Sequence, residues 1–339
     1  MSEAIEVEDL VKVYPGGSRA VDGLSLQIRA GEAFGLLGPN GSGKTTTVRI
    51  LVTLLHKTSG SVRVGGLDLA SGAREIRKII GYAGQSIGID DDLTGRENLV
   101  LQGRLHGLPG AVAEKRAAEL LEIMSLAQVA NVRASRYSGG MRRRLDLIQA
   151  LMHSPPILFL DEPTTGMDPQ SRMALWQYLG RLRRDGMTIL LTTQYLEEAD
   201  RACDRIAIID RGKLLKVGSP AALKDELGAD RVTLTVTSSL AEDTYDRAAG
   251  VVRRFPGMAR VEQVEPLVLS VRDTGATLPA VLRSIEADGI QIVTIRNSSV
   301  SLDDVFLRYT GHKVRADPGT GRPAMSAAFA ALHGGGARH

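Results

Sequence analysis

The chain has 339 residues, 43% of them apolar and 24% charged, with a net charge of +3. That length suits one large domain and a smaller one, and so small a net charge gives no electrostatic footprint for nucleic acid. A single cysteine, Cys203, excludes an intrachain disulfide and agrees with a reducing cytoplasm. No segment reaches the roughly 18 uninterrupted apolar residues that a membrane-spanning helix needs. The acidic start, Met1-Ser2-Glu3, lacks the basic and apolar regions of a signal peptide, so a cytoplasmic chain is expected.

The opening residues read as strands: Ala4-Ile5-Glu6-Val7 runs toward a turn at Pro15-Gly16-Gly17, and Leu24 to Ile28 alternates with period two. Ala33-Phe34-Gly35-Leu36-Leu37 is a short buried strand feeding a glycine-rich loop and a helix that begins near Lys44. Residues 111–126 have helical spacing and strong helix formers. Ile157–Leu160 and Thr188–Thr192 have the continuous apolar character of buried parallel strands. Strands alternating with helices predict an α/β core. Beyond residue 228 the pattern changes to alternating segments at 231–236, 267–271 and 290–295 with a helix over 278–288, a small α+β unit. The Gly-, Ala- and Pro-rich residues 313–339 are expected to be mobile, with 324–332 able to form a helix if something receives it.

Gly38-Pro39-Asn40-Gly41-Ser42-Gly43-Lys44-Thr45 fits G-x-x-x-x-G-K-[ST] at every fixed position. The glycines let backbone N–H groups converge on phosphate oxygens, and the N-terminus of the following helix adds its dipole. Lys44 then reaches the β- and γ-phosphates, and the Thr45 hydroxyl is placed for Mg²⁺, with Thr46 next along the helix. Ile157-Leu158-Phe159-Leu160-Asp161-Glu162 is an apolar strand ending in two acids. Asp161 can hold the Mg²⁺ shell, and Glu162, facing the other way by strand alternation, can polarise an attacking water.

Tyr137-Ser138-Gly139-Gly140-Met141-Arg142, shortly before Asp161, completes a set that resembles the ABC (ATP-binding cassette) ATPase family. The family signature normally reads Leu-Ser-Gly-Gly-Gln, so Tyr137 and Met141 depart from it while Ser138, Gly139 and Gly140 match. The resemblance implies a P-loop NTPase core of ABC type over about residues 4–225, with a helical subdomain about 86–150 and the small C-terminal α+β domain at 229–312. It implies that Tyr14 stacks on adenine, that Gln85 touches Mg²⁺ and senses a membrane partner, and that Asp168 lies in the loop linking two sites. Ser138, Gly139 and Gly140 would serve ATP held by a second copy of the chain in a head-to-tail dimer. Thr192-Thr193-Gln194 resembles the switch region, but Gln194 replaces the usual histidine. A glutamine amide can donate to a γ-phosphate but cannot carry a proton, so slower hydrolysis is expected.

Gln194 and the C-terminal Ser301-Leu302-Asp303-Asp304-Val305-Phe306 resemble the daunorubicin-resistance branch of bacterial exporters, although Ser301 and Asp304 also form an S-x-x-D helix start. The implied function is ATP hydrolysis that drives a separate transmembrane permease carrying amphiphilic drugs or lipids, at the cytoplasmic face of the membrane. A soluble ABC ATPase acting on DNA or ribosomes is disfavoured by the lack of heptad runs or a second cassette, and an importer motor stays open. Arg142-Arg143-Arg144 reads as a solvated helix face rather than a nucleic-acid patch, and Asp90-Asp91-Asp92 as a loop cluster. His56, His106, His153 and His312 lack metal-ligand spacing, and Cys203 is an inert residue in a helical stretch.

Overall fold

The computed structural model describes residues 2–227, 230–237, 243–255, 259–271, 274–298 and 300–311; the expectations for residues 313–339 lie outside these. The chain begins with β1 (Glu3–Val13), β2 (Arg19–Arg29) and β3 (Ala33–Leu37), then α1 (Lys44–Leu51), β4 (Ser59–Val64) and β5 (Leu67–Asp68). α2 (Ala73–Ile79) and β6 (Ile80–Ala83) lead into a helical region of α3 (Gly95–Leu105), α4 (Gly110–Ile123) and α5 (Gly139–Gln149). β7 (Ile157–Asp161), α6 (Pro169–Arg184), β8 (Thr188–Thr193) and α7 (Leu196–Ala202) follow, then β9 (Arg205–Asp210), β10 (Lys213–Gly218) and α8 (Pro220–Leu227).

Two sheets share this part. In the antiparallel sheet β2-β1-β4-β5, β2 buries Leu24, Leu26 and Ile28 between exposed neighbours, which is how a strand with one wet face reads. The second sheet has the order β10-β9-β3-β8-β7-β6 and is parallel except at its β9–β10 edge. Every residue of β3, β7 and β8 is buried. Their unbroken apolar runs follow from having both faces covered. The carboxyl ends of these three strands therefore open at one edge, where ligands of α/β sheets bind. In the helical region, Thr94 and Glu97 form a capping box at the start of α3. Ser138 caps α5 by accepting from the Met141 amide at 3.2 Å. Tyr137, at the first signature position, is buried and donates to the Val129 carbonyl at 2.7 Å.

The C-terminal part comprises β11 (Asp230–Thr237), α9 (Thr244–Val252), β12 (Ala259–Gln263), β13 (Leu267–Val271), α10 (Thr274–Ala287) and β14 (Gln291–Ser298), followed by α11 (Leu302–Thr310). The sheet order β12-β13-β11-β14, with a helix after the first and third strands, is a split βαβ arrangement. Val232, Leu234, Leu267 and Leu269 from the sheet pack with Val251, Val281 and Ile285 from the two helices in a core of their own. α11 leaves that unit. Ser301 and Asp304 cap it reciprocally, at 3.2 and 3.0 Å. Its buried Leu302, Val305 and Phe306 join the core of the first part beside Leu196, Ala199 and Leu223. Tyr309 donates to Glu226 on α8 at 2.8 Å.

Candidate active site

The loop from β3 to α1 is shaped by two requirements on glycine. Gly43 has φ +104°, and a Cβ there would stand 2.4 Å from the Ala20 carbonyl oxygen, so no side chain fits. Gly38 would place a Cβ 2.3 Å from Ser42 Oγ, so this turn can close only without one. Lys44 is buried and donates from Nζ to the carbonyls of Gly38 at 2.8 Å and Pro39 at 3.1 Å. Burial lowers its pKa, opposed by the carboxylates of Glu162 and Asp161. A cavity of about 770 Å³ opens against this loop, lined by Asn40, Gly41, Lys44, Thr45, Gln85 and Glu162. Thr46, Gly139 and Gly166 also line it.

Asp161 and Glu162 share one network. Asp161 is fully buried, and its Oδ1 accepts from Thr45 Oγ1 at 3.2 Å and Thr192 Oγ1 at 2.5 Å. Gln85 Nε2 donates to the same Thr45 hydroxyl at 3.1 Å. Asp161 Oδ2 is buried with no hydrogen-bond partner among the described residues. A buried carboxylate oxygen left open beside the Thr45 hydroxyl is a pair of hard oxygen donors, which fits Mg²⁺. Glu162 leaves the strand with φ +50°, and its amide donates to Thr192 Oγ1 at 3.0 Å. A left-handed turn at the strand end, not simple alternation, therefore aims its carboxylate into the cavity. Burial raises the Glu162 pKa, with Lys44 opposing, which moves this carboxylate toward the range of a general base.

The arginine run departs from the expected solvated face. Arg143 is buried on α5 and holds three segments together. Its guanidinium donates to the carbonyls of Asp161 at 2.9 Å, Glu162 at 3.0 Å and Pro163 at 3.1 Å, and also to that of Gly84. It pairs with buried Asp146 at 3.2 Å, whose other oxygen accepts from the Gly88 amide at 2.9 Å. Arg143 thus locks the signature helix to both the carboxylate strand and the Gln85 loop. Sequence reading missed this because four of its partners are backbone carbonyls. The one available signal is the spacing of three between Arg143 and Asp146, which puts opposite charges on one helical face. Arg142 pairs with Asp91, and Arg144 donates to the Met124 carbonyl at 3.0 Å. The Thr192 hydroxyl, which the sequence shows only as part of the switch region, joins Asp161 to the Glu162 amide.

Other expected site residues sit around this centre rather than in it. Tyr14 is half-buried, with its hydroxyl 3.4 Å from Thr46 Oγ1. Ser138 spends its hydroxyl on capping α5, and Gly140 lies beside Gly166, whose carbonyl would be 3.8 Å from an added Cβ. Asp168 caps α6, accepting from the Ser171 amide at 2.9 Å and hydroxyl at 2.5 Å, which lowers its pKa. Gln194 is half-buried at the end of β8 and does not line the cavity. Among the described residues no group of three or more His, Cys, Asp or Glu side chains is placed to hold a metal. His106 and His153 instead stack with ring centroids 3.7 Å apart. Cys203 is buried just beyond α7 rather than within it, and burial raises its thiol pKa.

A phosphate loop, a strand-end carboxylate pair and a parallel sheet define a P-loop ATPase. A family profile described as "ABC transporter" matches residues 21–165. A second, described as "ATP-binding protein DrrA1-3-like, C-terminal domain", matches residues 218–310. The daunorubicin resistance ATP-binding protein DrrA2 of Streptomyces coeruleorubidus is 45% identical over 312 residues, covering 91% of this chain and 96% of that protein. The linearmycin resistance ATP-binding protein LnrL of Bacillus subtilis is 35% identical over 315 residues, covering 92% and 99%. A solved ATP-binding subunit of an ABC transporter superposes with a TM-score of 0.62 at 28% identity, over 66% of this chain and 93% of that one. A dimeric ATP-binding cassette in a post-hydrolysis state with ADP and Pi gives 0.60, also at 28%, over 63% and 98%. The chain belongs to the ATP-binding subunits of the ABC transporter family, and it binds and hydrolyses ATP. No helix among the described residues is long and apolar enough to cross a membrane.

Proposed function

We propose that this ATPase is the motor of a multi-chain exporter, acting at the cytoplasmic face of the membrane through a separate permease that carries an amphiphilic drug or lipid. The observation that carries the reading is the match over 91–92% of the chain, through both the ATPase part and the split βαβ unit, to proteins whose names record drug resistance. The proposed division is an ATPase domain at 1–228 and an accessory domain at 229–312, with α11 of the latter packed back onto α7 and α8.

Lys44 releases the Gly38 and Pro39 carbonyls to bind the β- and γ-phosphates, helped by the amides of residues 40–46. Thr45, Gln85 and Asp161 would hold Mg²⁺, which neutralises phosphate charge when bound. Glu162 orients the attacking water and takes its proton. Gln194 donates to the γ-phosphate without shuttling a proton, and Tyr14 stacks on the adenine. Ser138, Gly139, Gly140 and Asp168 serve the ATP of a second copy of the chain, so that two nucleotides close a homodimer. Because Arg143 ties the Gln85 loop to the carbonyls of Asp161 and Glu162, hydrolysis and permease contact move together.

The test is gentle detergent purification of the tagged chain from its own cells, with mass spectrometry of what accompanies it. A stoichiometric partner with several membrane-spanning helices is expected. Recovery only from the soluble fraction, with ribosomes or DNA attached, overturns the exporter reading and leaves the ATPase intact.

A further inference from the structure

A second cavity, of about 550 Å³, lies between α6, α7 and the sheet, away from the phosphate loop. Its volume is in the range that holds a drug-sized molecule. Met173, Leu179, Ile189 and Leu191 give it apolar walls, and its polar groups are unusual. Trp176 lines it with a buried Nε1 that has no hydrogen-bond partner among the described residues. Arg172 Nε is also without one, reaching only an ion-pair distance of 3.4 Å to Glu198 Oε1. Glu198 is 7% exposed, and that Oε1 has no hydrogen bond either. Trp176 Nε1 forfeits a hydrogen bond outright, and Arg172 Nε has only the ion-pair contact with Glu198, so a ligand acceptor could serve both N–H groups.

The other oxygen of Glu198 connects this cavity to the catalytic loops. Oε2 accepts from Thr164 Oγ1 at 2.8 Å and from Thr193 Oγ1 at 3.4 Å. Thr164 follows Glu162 by two residues and leads to Asp168, and Thr193 immediately precedes Gln194. One carboxylate therefore faces the cavity with one oxygen and holds both loops with the other.

We propose that this cavity is an effector site for a small aromatic anion, whose acidic oxygens accept from Trp176 Nε1 and Arg172 and whose binding is coupled through Glu198 to the nucleotide site. Arg172, Arg183 and Arg201 outnumber Glu197 and Glu198 in the lining, with Arg183 also paired to Asp204 at 2.6 Å, so the balance of charge favours an anion. The site is separate from the exporter assignment and stands or falls without it.

Trp176 is the only tryptophan in the chain, so its fluorescence reports on this cavity directly. The probe is 1-anilinonaphthalene-8-sulfonate, an aromatic anion that accepts energy from indole, titrated into the full-length protein. Saturable emission excited through Trp176 is expected, with a dissociation constant that shifts about fivefold or more when ATP and Mg²⁺ are added. Gly180 lines the cavity on α6, and a Cβ there meets nothing within 4 Å. Gly180→Leu should therefore fill the space without unfolding the helix, weakening the probe about tenfold or more while ATP binding and thermal midpoint hold. Glu198→Gln should keep probe binding and lose its response to nucleotide. Emission that does not saturate, or that survives Gly180→Leu, marks an adventitious additive only and overturns the site. Saturable binding that ignores nucleotide overturns the coupling. Because ATP binding is read separately, failure here leaves the ATPase assignment untouched.

Discussion

Replacing Arg143 by methionine tests whether the buried guanidinium holds the site together. The change keeps most of the side chain's apolar bulk but removes its donors. The carbonyls of Gly84, Asp161, Glu162 and Pro163 lose their donor, and Asp146 keeps a buried charge whose remaining partner is the Gly88 amide. Both side chains of the ion pair are only 7% exposed, so solvent screening gives little relief. Breaking such a pair from one side costs about 3–5 kcal/mol. The double variant Arg143→Met/Asp146→Leu removes the stranded carboxylate and should recover about 1–3 kcal/mol of that loss. Equilibrium unfolding in urea, comparing wild type, both single variants and the double, measures each step. A single-variant loss below about 1 kcal/mol, the level of an exposed ion pair, or a double variant no better than the single, would refute the brace.

Glu162→Gln should retain ATP affinity while steady-state phosphate release falls about 10²- to 10⁴-fold, the usual loss when a general base is removed; near-normal turnover would sink the assignment. Gln194→His restores a group that can carry a proton, so hydrolysis should rise; a lower rate in the same phosphate-release assay counts against the expectation. Burial, reinforced by neighbouring His106, pushes the His153 ring down to about 4, and burial also lowers His106. Between the usual histidine value of 6.5 and about 4 the unfolded chain binds a proton at His153 that the folded one does not. Stability should therefore fall with falling pH through that window, by up to ~1.4 kcal/mol per pH unit for this group. Urea midpoints across the window should be visibly flatter for His153→Phe.

Much of the nucleotide site is legible because its determinants are local. Gly43, Lys44 and Thr45 are fixed by the turn they make, and Asp161 by ending an apolar strand. The core strands 33–37, 157–161 and 188–193 are legible for a related reason: each carries a continuous apolar stretch, such as 157–160 and 189–191, because both faces are covered. What stays hidden depends on partners far along the chain. Arg143 looks like one of three surface arginines until β7 and the Gln85 loop bring carbonyls around it. Glu162 looks like an alternating strand residue, and only the left-handed turn at φ +50° explains its aim. The chain folds α11, the last helix among the described residues, onto α7 and α8, an outcome no periodicity in residues 302–310 announces, since an amphipathic helix does not name its partner.

That helix changes what kind of object the split βαβ unit is. Entered from α8 and left through α11, it is moored at both ends to neighbouring helices of the ATPase, so it is a loop-out rather than a pendant. A chain cut near residue 228, where composition suggests a clean seam, would strip Phe306 from its bed and leave Leu196 and Leu223 facing water. Conversely, the two moorings make the unit a natural place for excision or exchange: residues 230–298 could be replaced by a short linker spanning α8 to α11, leaving the ATPase closed.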